Sequence, residues 1–341
     1  MPDPSTVSNT PAQHRAVLGS GLIDTVPSGR RPLPGPIALL PTPKVHFARA
    51  VEGAGGTVAE LGDETRGLVW LSSRRSAELA AVLASHPNIQ WVQLPWAGVD
   101  AFAQVLAKFA DRPLPIFTSA KGAYAQPVAE HALMLALSLL RVIPTRVRAT
   151  SWSTVPEGRS LYGLDVVVIG AGGIAVELAR LLAPFGVRLT VVRRGTEPFP
   201  GADRTVTADR LREVLPSADV VFVAAAMTAD TAKLIGTEEL RLMKSTAVLV
   251  NIARGGLIDT EALTAALAQG AIHGAGLDVT DPEPLPDGHP LWDEPRAIIT
   301  PHSADTPDMT APLLAERIRL NVEAFLDHGR FVGIVDAKAG Y

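Results

Sequence analysis

The strongest constraint on this chain is a run of about thirty residues, Asp165 to Arg194, reading DVVVIGAGGIAVELARLLAPFGVRLTVVRR. Val166 to Ile169 is a short apolar, β-branched run, the pattern of a strand buried on both faces of a parallel sheet. Val176 to Phe185 has helical periodicity and Gly186 ends it. A second strand, Arg188 to Val192, completes a βαβ unit with G-x-G-x-x-A in its first turn. Gly170 permits the tight turn, Gly172 removes a Cβ so that backbone can approach a pyrophosphate, and Ala175 is small enough for helix against strand. The N–H groups at the helix start, those of Gly173 and Ile174 among them, point outward with the helix dipole behind them and attract phosphate. A lone Gly pattern of this kind is weak, and a Gly-rich turn in any α/β domain is the alternative. Set between a strand and a helix of suitable length, it predicts dinucleotide binding.

A length of 341 residues with 47% hydrophobic content suggests about two domains with sizeable cores. The net charge of −4 without a basic block argues against nucleic acid. Cys is absent, which excludes disulfides, thiolate zinc sites and a Cys nucleophile and fits a reducing compartment; a cytoplasmic location and no metal are expected. No membrane span is expected: the most apolar helix, near Val128 to Leu140, is too short and carries Glu130 and His131. Residues 1–33 are rich in Pro, Ser, Gly and Thr and read as a loosely ordered extension. Their apolar patch, Ala16 to Ile23, is broken by Gly and follows no basic cluster, so it does not read as a signal peptide.

Downstream, strands are expected at 37–40, 57–61, 68–71, 89–94 and 115–118, with helices at 45–52 and 76–84, giving a small α/β domain over about 34–124. One long apolar helix, 128–140, precedes the Gly-rich unit. Strands at 220–225, 247–251, 273–279 and 297–300 then alternate with helices near 208–214, 237–243 and 260–269, which indicates a parallel sheet covered on both faces. A final helix, 309–326, sets Leu314, Ile318, Val322 and Phe325 on one face and is expected to return to the first domain.

Ligands of open α/β sheets bind beyond the carboxyl ends of the strands. Three successive strands deliver Arg254, Asp278 with Glu283, and His302 to one such edge. That set suits hydride transfer at a 2-hydroxy or 2-oxo acid. Arg254 can hold a carboxylate or the reacting oxygen with its planar fork of donors. His302 can exchange the hydroxyl proton as hydride moves. Glu283, with Asp281 and Glu294 as rivals, can bond the other ring nitrogen and fix the tautomer. Asp278 is open between a turn cap and a ligand contact. Taken singly, each of these residues also reads as an ordinary solvated strand end.

VNIARGG at 250–256, GLDVTDPEPLP at 276–286 and TPHSA at 300–304, in this order and spacing, resemble the D-isomer-specific 2-hydroxyacid dehydrogenase family, over a span of about 34–335. The resemblance is to its glyoxylate/hydroxypyruvate reductase-like members. It implies a Rossmann cofactor domain, 125–303, inserted in a smaller flavodoxin-like substrate domain, 34–124 plus 304–341, both doubly wound and parallel. It implies Arg254, Glu283 and His302 as catalytic residues, and Thr228, Ala253 and Asp278 on the cofactor, Asp278 at the nicotinamide carboxamide. WAGVD at 96–100 resembles the substrate loop, where backbone N–H groups of Ala97, Gly98 and Val99 grip the carboxylate; small residues expose successive amides as an anion nest. PVAEHAL at 127–133 resembles the start of the helix around which the family forms homodimers. Trp96, Tyr124 and Trp152 are candidates to shape the pocket, and the two domains are expected to close about 124–126 and 303–306.

Two departures matter. NAD-using members carry an Asp at the end of the second strand, where this chain has Arg193 and Arg194. Guanidinium groups cannot accept from a ribose hydroxyl but can clamp a 2′-phosphate, so NADP(H) is expected over NAD(H). The second is Ala224-Ala225-Ala226-Met227-Thr228, which lacks the family's Pro but keeps its Thr. Two other classes compete with a 2-oxo acid reductase. One is a dinucleotide-sensing corepressor of the same fold, which responds to cofactor without turnover. The other is a methyltransferase-like binder of another adenosine cofactor, in which the Arg and His segments have no role.

Overall fold

The computed structural model describes residues 14–15, 23–152 and 154–337. Its centre is a seven-stranded, wholly parallel sheet in the order Ala297–Ile299, Gly274–Leu277, Val248–Asn251, Val220–Val223, Asp165–Ile169, Arg188–Arg193, Arg204–Thr207. The first strand in sequence, Asp165–Ile169, lies between the second and the fourth, so the winding reverses between Asp165–Ile169 and Val220–Val223. A ligand crevice opens at such a reversal. The strands are apolar on both faces: Val166, Val168, Val220, Phe222, Val248 and Val250 join one core, and Val167, Ile169, Val221, Val223 and Leu249 join the other. Each such side chain, fully buried, contributes about 1.5–3 kcal/mol, so the sheet is held by apolar packing on both faces.

The second sheet runs Ile37–Leu40, Gly67–Trp70, Trp91–Gln93, Ile116–Thr118, again all parallel. The expected strand at 57–61 is reduced to a single bridge, Val58 to Ile37, with Ile37 N–H donating to Thr57 O and Ala59 N–H to Ile37 O. Counting that rung, the order is 2-1-3-4-5, the flavodoxin-like winding. Pairing stops there because the segment turns away into the Gly62–Thr65 turn, closed by a Thr65 N–H to Gly62 O bond.

Helix Ala125–Leu140 runs between the sheets and begins three residues before the sequence pattern suggested. Its buried face packs on helix Gly173–Leu182 and on strands of the large sheet, so one apolar core is continuous through both layers. Helix Pro307–Glu323 continues as the wider turn Ala324–His328, and it packs on helix Val45–Gly53 with Leu314, Ile318, Val322 and Phe325 buried, the face the sequence marks.

Several elements were not legible in advance. Arg204–Thr207 is an edge strand, and Ile143–Arg148 a short helix. Residues 1–13, and all of the patch 16–23 but Ile23, lie outside the described residues. Within the remainder, looseness over the whole of 1–33 does not hold. Ile23–Thr25 pairs antiparallel with Arg330–Val332, Ser28–Arg30 forms a helical turn, and Arg31 donates to Val26 O and Asp327 O. All three paired residues, Ile23 to Thr25, are exposed, so backbone hydrogen bonds rather than burial hold the strand.

Candidate active site

The Gly-rich turn is built as its residues require. Gly170 has φ +117, and a Cβ there would stand 2.4 Å from Ala224 O, so only glycine fits. A Cβ on Gly172 would meet nothing within 4 Å. The turn therefore leaves open space at the start of helix Gly173–Leu182, where first-turn N–H groups could hold a pyrophosphate. Thr228 closes the neighbouring loop: its N–H donates to Thr231 Oγ1 at 2.8 Å, and Thr231 Oγ1 donates to Ala226 O.

Arg254, Asp278 and His302 leave three adjacent strands whose ends are in register, Asn251 beside Leu277 and Leu277 beside Ile299. Asn251 is buried and shapes the Arg turn, accepting from Ala253 N–H and donating to Arg254 O. Gly255 is needed for packing, since a Cβ there would lie 1.9 Å from Thr280 O. The Arg turn thus abuts the loop that carries Glu283.

His302 Nδ1 lies 2.7 Å from Glu283 Oε1. The rival Glu294 is engaged by Arg296 at 2.9 Å, and Asp281 accepts through its backbone from Thr260. A carboxylate on Nδ1 fixes the proton there and leaves Nε2 to exchange one. His302 has φ +50, a rare backbone state for a residue with a side chain. Asp278 holds that kink. It is 2% exposed; Oδ1 accepts from Thr300 Oγ1 at 2.6 Å and Ser303 N–H at 2.9 Å, Oδ2 from Ala304 N–H at 3.0 Å, while its carbonyl accepts from His302 N–H. His131 bonds Thr300 Oγ1 at 3.0 Å from helix Ala125–Leu140. Asp278 is therefore the organiser of the His302 turn, a job that the sequence left among its alternatives.

Across the cleft, the WAGVD loop follows strand Trp91–Gln93. None of the N–H groups of Ala97, Gly98 and Val99 donates to a described residue. Arg254 reaches this loop. Tyr124 donates to Pro95 O at 2.7 Å and packs edge-on to Trp96, with ring centroids 5.7 Å apart. Trp152 is 94% exposed and shapes no pocket within this chain. Among the described residues no group of three His, Asp or Glu could hold a metal ion, and no helix is long and apolar enough to cross a membrane.

Residues 132–304 match the family described as D-isomer specific 2-hydroxyacid dehydrogenase, NAD binding domain. The chain belongs to the D-isomer specific 2-hydroxyacid dehydrogenases. It is similar to the mouse glyoxylate reductase/hydroxypyruvate reductase, 31% identical over 77% of this chain and 78% of that one. An uncharacterized protein from the proB 3′ region of Corynebacterium melassecola is 39% identical over 74% of this chain and 84% of its own. Among solved structures, a D-isomer specific 2-hydroxyacid dehydrogenase of Xanthobacter autotrophicus in complex with NADPH and MES superposes with a TM-score of 0.73 at 29% identity, covering 91% of this chain and all of that one. Membership makes the protein an NAD(P)-dependent oxidoreductase acting on CH–OH donors.

Three charged features of this dehydrogenase escaped the sequence reading. Asp100 bonds Arg254. Lys121, on the chain crossing between the sheets, has its pKa lowered by burial and then by the charge of Arg194. Asp305, three residues past His302, is pushed up from 3.8 to about 6 by burial, with His302 opposing the rise and Asp278 adding to it. A carboxyl raised in the folded state favours folding fully below its unfolded value and loses that contribution as pH rises through about 6. Asp305→Asn is therefore expected to raise thermal stability at pH 8, by about 2 kcal/mol, and to leave it unchanged near pH 4. Melting scans at the two pH values check this, and an equal shift at both would refute it.

Proposed function

We propose that this protein is an NADPH-dependent reductase of small 2-oxo acids, with Arg254, Glu283 and His302 as its catalytic set. The observation that carries the reading is the 2.7 Å contact of His302 Nδ1 with Glu283 Oε1 on the strand-end edge that also delivers Arg254. The bound nicotinamide supplies the hydride. Gly170, Gly172, Gly173 and Ile174 would hold its pyrophosphate, with Thr228 and Ala253 flanking; Asp278, whose carboxylate is taken up by Thr300, Ser303 and Ala304, would act through the His302 turn rather than at the carboxamide. Arg254, with the N–H groups of Ala97, Gly98 and Val99, binds the substrate carboxylate and polarises the neighbouring carbonyl. His302 gives the Nε2 proton to the carbonyl oxygen as it gains charge, and Glu283 stabilises the imidazolium that makes this donation possible. The names of the relatives, glyoxylate reductase, hydroxypyruvate reductase and glycerate dehydrogenase, support a small substrate. The corepressor alternative gives the His–Glu pair and Arg254 nothing to do.

The domain division supported by the two sheets is 34–124 plus 304–341 for substrate and 125–303 for cofactor, closing about 124–126 and 303–306. Arg193 donates to Glu197 O at 3.1 Å, which holds it at the strand end beside exposed Arg194. Two guanidinium groups and the nearby Lys121 favour a 2′-phosphate. Met134, Ile143, Val147, Trp152, Val155 and Tyr162 are exposed along one stretch of chain after the helix start, which supports a homodimer. The cytoplasm, where reduced nicotinamide is regenerated, is its expected place.

Glyoxylate and hydroxypyruvate should be turned over with NADPH, and His302→Ala should lower kcat by about 10²-fold or more while NADPH affinity stays. An inactive wild type, or a His302→Ala variant as fast as wild type, would end this assignment. The kcat/KM ratio of NADPH to NADH should exceed about ten; a ratio below one would return the Arg pair to solvent. Light scattering should give twice 35.9 kDa, and a monomeric mass would remove the dimer.

A further inference from the structure

Arg254 is fixed from the far side of the cleft. Its Nε donates to Asp100 Oδ2 at 2.7 Å and its Nη1 to Ala253 O at 2.7 Å. Its outer nitrogen sits tight against the WAGVD loop: a Cβ at Gly98 would stand 1.7 Å from Nη2 and 2.8 Å from Cζ. Asp100 and Gly98 follow strand Trp91–Gln93 of the small sheet, whereas Arg254 follows strand Val248–Asn251 of the large one. A guanidinium has five N–H donors in one plane. Two are taken by these bonds, and those on Nη2 are left beside the open amides of the loop.

From this geometry we infer that Asp100 is the positioning residue of Arg254. It holds the guanidinium against Gly98, so that Nη2 and the loop amides form one preset carboxylate receptor. Asp100 lies at the start of the short turn Asp100–Phe102, and its carboxylate takes no helix N–H among the described residues. Its bond to Arg254 is thus its evident task. A carboxylate this close to an anion site also repels the ligand, so charge alone does not explain its presence; an acceptor in the right place does. The inference rests on the reading that Arg254 binds the substrate carboxylate.

That balance gives a signature. Asp100→Asn keeps an acceptor and removes the charge, whereas Asp100→Ala removes both and frees the side chain of Arg254 to swing. In steady-state assays with hydroxypyruvate and NADPH, Asp100→Ala should raise KM by about ten-fold or more. Asp100→Asn should stay within about three-fold of wild type. NADPH affinity, read by nucleotide fluorescence, and the melting temperature should be unchanged in both, which a merely structural role would not allow. Asp100→Ser, too short to reach the guanidinium, carries the same test should the Ala variant fail to fold. A KM for Asp100→Ala equal to that of wild type overturns the inference, as does an Asn variant as damaged as the Ala one. A wild type that reduces no 2-oxo acid overturns the underlying reading instead, and this inference with it.

Discussion

One buried carboxylate sets the geometry on which the site depends. Burying the charge of Asp278 costs several kcal/mol unless every lone pair finds a donor. Here the donors are Thr300 Oγ1, Ser303 N–H and Ala304 N–H, all from the segment that carries His302. Satisfying that charge forces the chain after strand Ala297–Ile299 into a tight turn, and His302 takes a left-handed backbone as part of it. The ring is half exposed, yet its backbone is tied to a group that water does not reach. A solvent-facing His–Glu pair is thus held by a buried carboxylate.

The cofactor sheet was readable because its strands carry unbroken apolar runs and its turns carry glycines with steric reasons. Gly170 against Ala224 is such a reason; Gly255 against Thr280 is another. That Arg254 and His302 share one edge was readable because successive parallel strands end there, so that order in sequence becomes adjacency in space; strand order alone did not separate Glu283 from Asp281 and Glu294. The contact between Asp100 and Arg254 was not, since 154 residues separate them and no local pattern joins the two loops. Arg204–Thr207 escaped because an edge strand with only Val206 buried shows no clear alternation. The pairing of Ile23–Thr25 with Arg330–Val332 escaped for a related reason: it rests on backbone hydrogen bonds, which leave no mark in side-chain composition.

The two places where the chain passes between the sheets are each anchored by a buried charge of opposite sign. On the first, Arg317 is 1% exposed and donates to Ser119 O at 2.6 Å and Lys121 O at 2.8 Å, with burial bringing its pKa down to about 10. A guanidinium paired with carbonyl dipoles rather than an acid is bound weakly enough to notice its burial, but two backbone acceptors define its position. On the second crossing Asp278 plays the same part through Ser303 and Ala304. A closing rotation of the kind proposed for this enzyme leaves both anchors intact only if it turns about the backbone just beyond them. Within the proposed pivots that backbone is Tyr124 to Gln126 on one side and Asp305 with Thr306 on the other. The turning points would then lie beside Tyr124 and His302, so that closing the cleft and completing the site become a single movement.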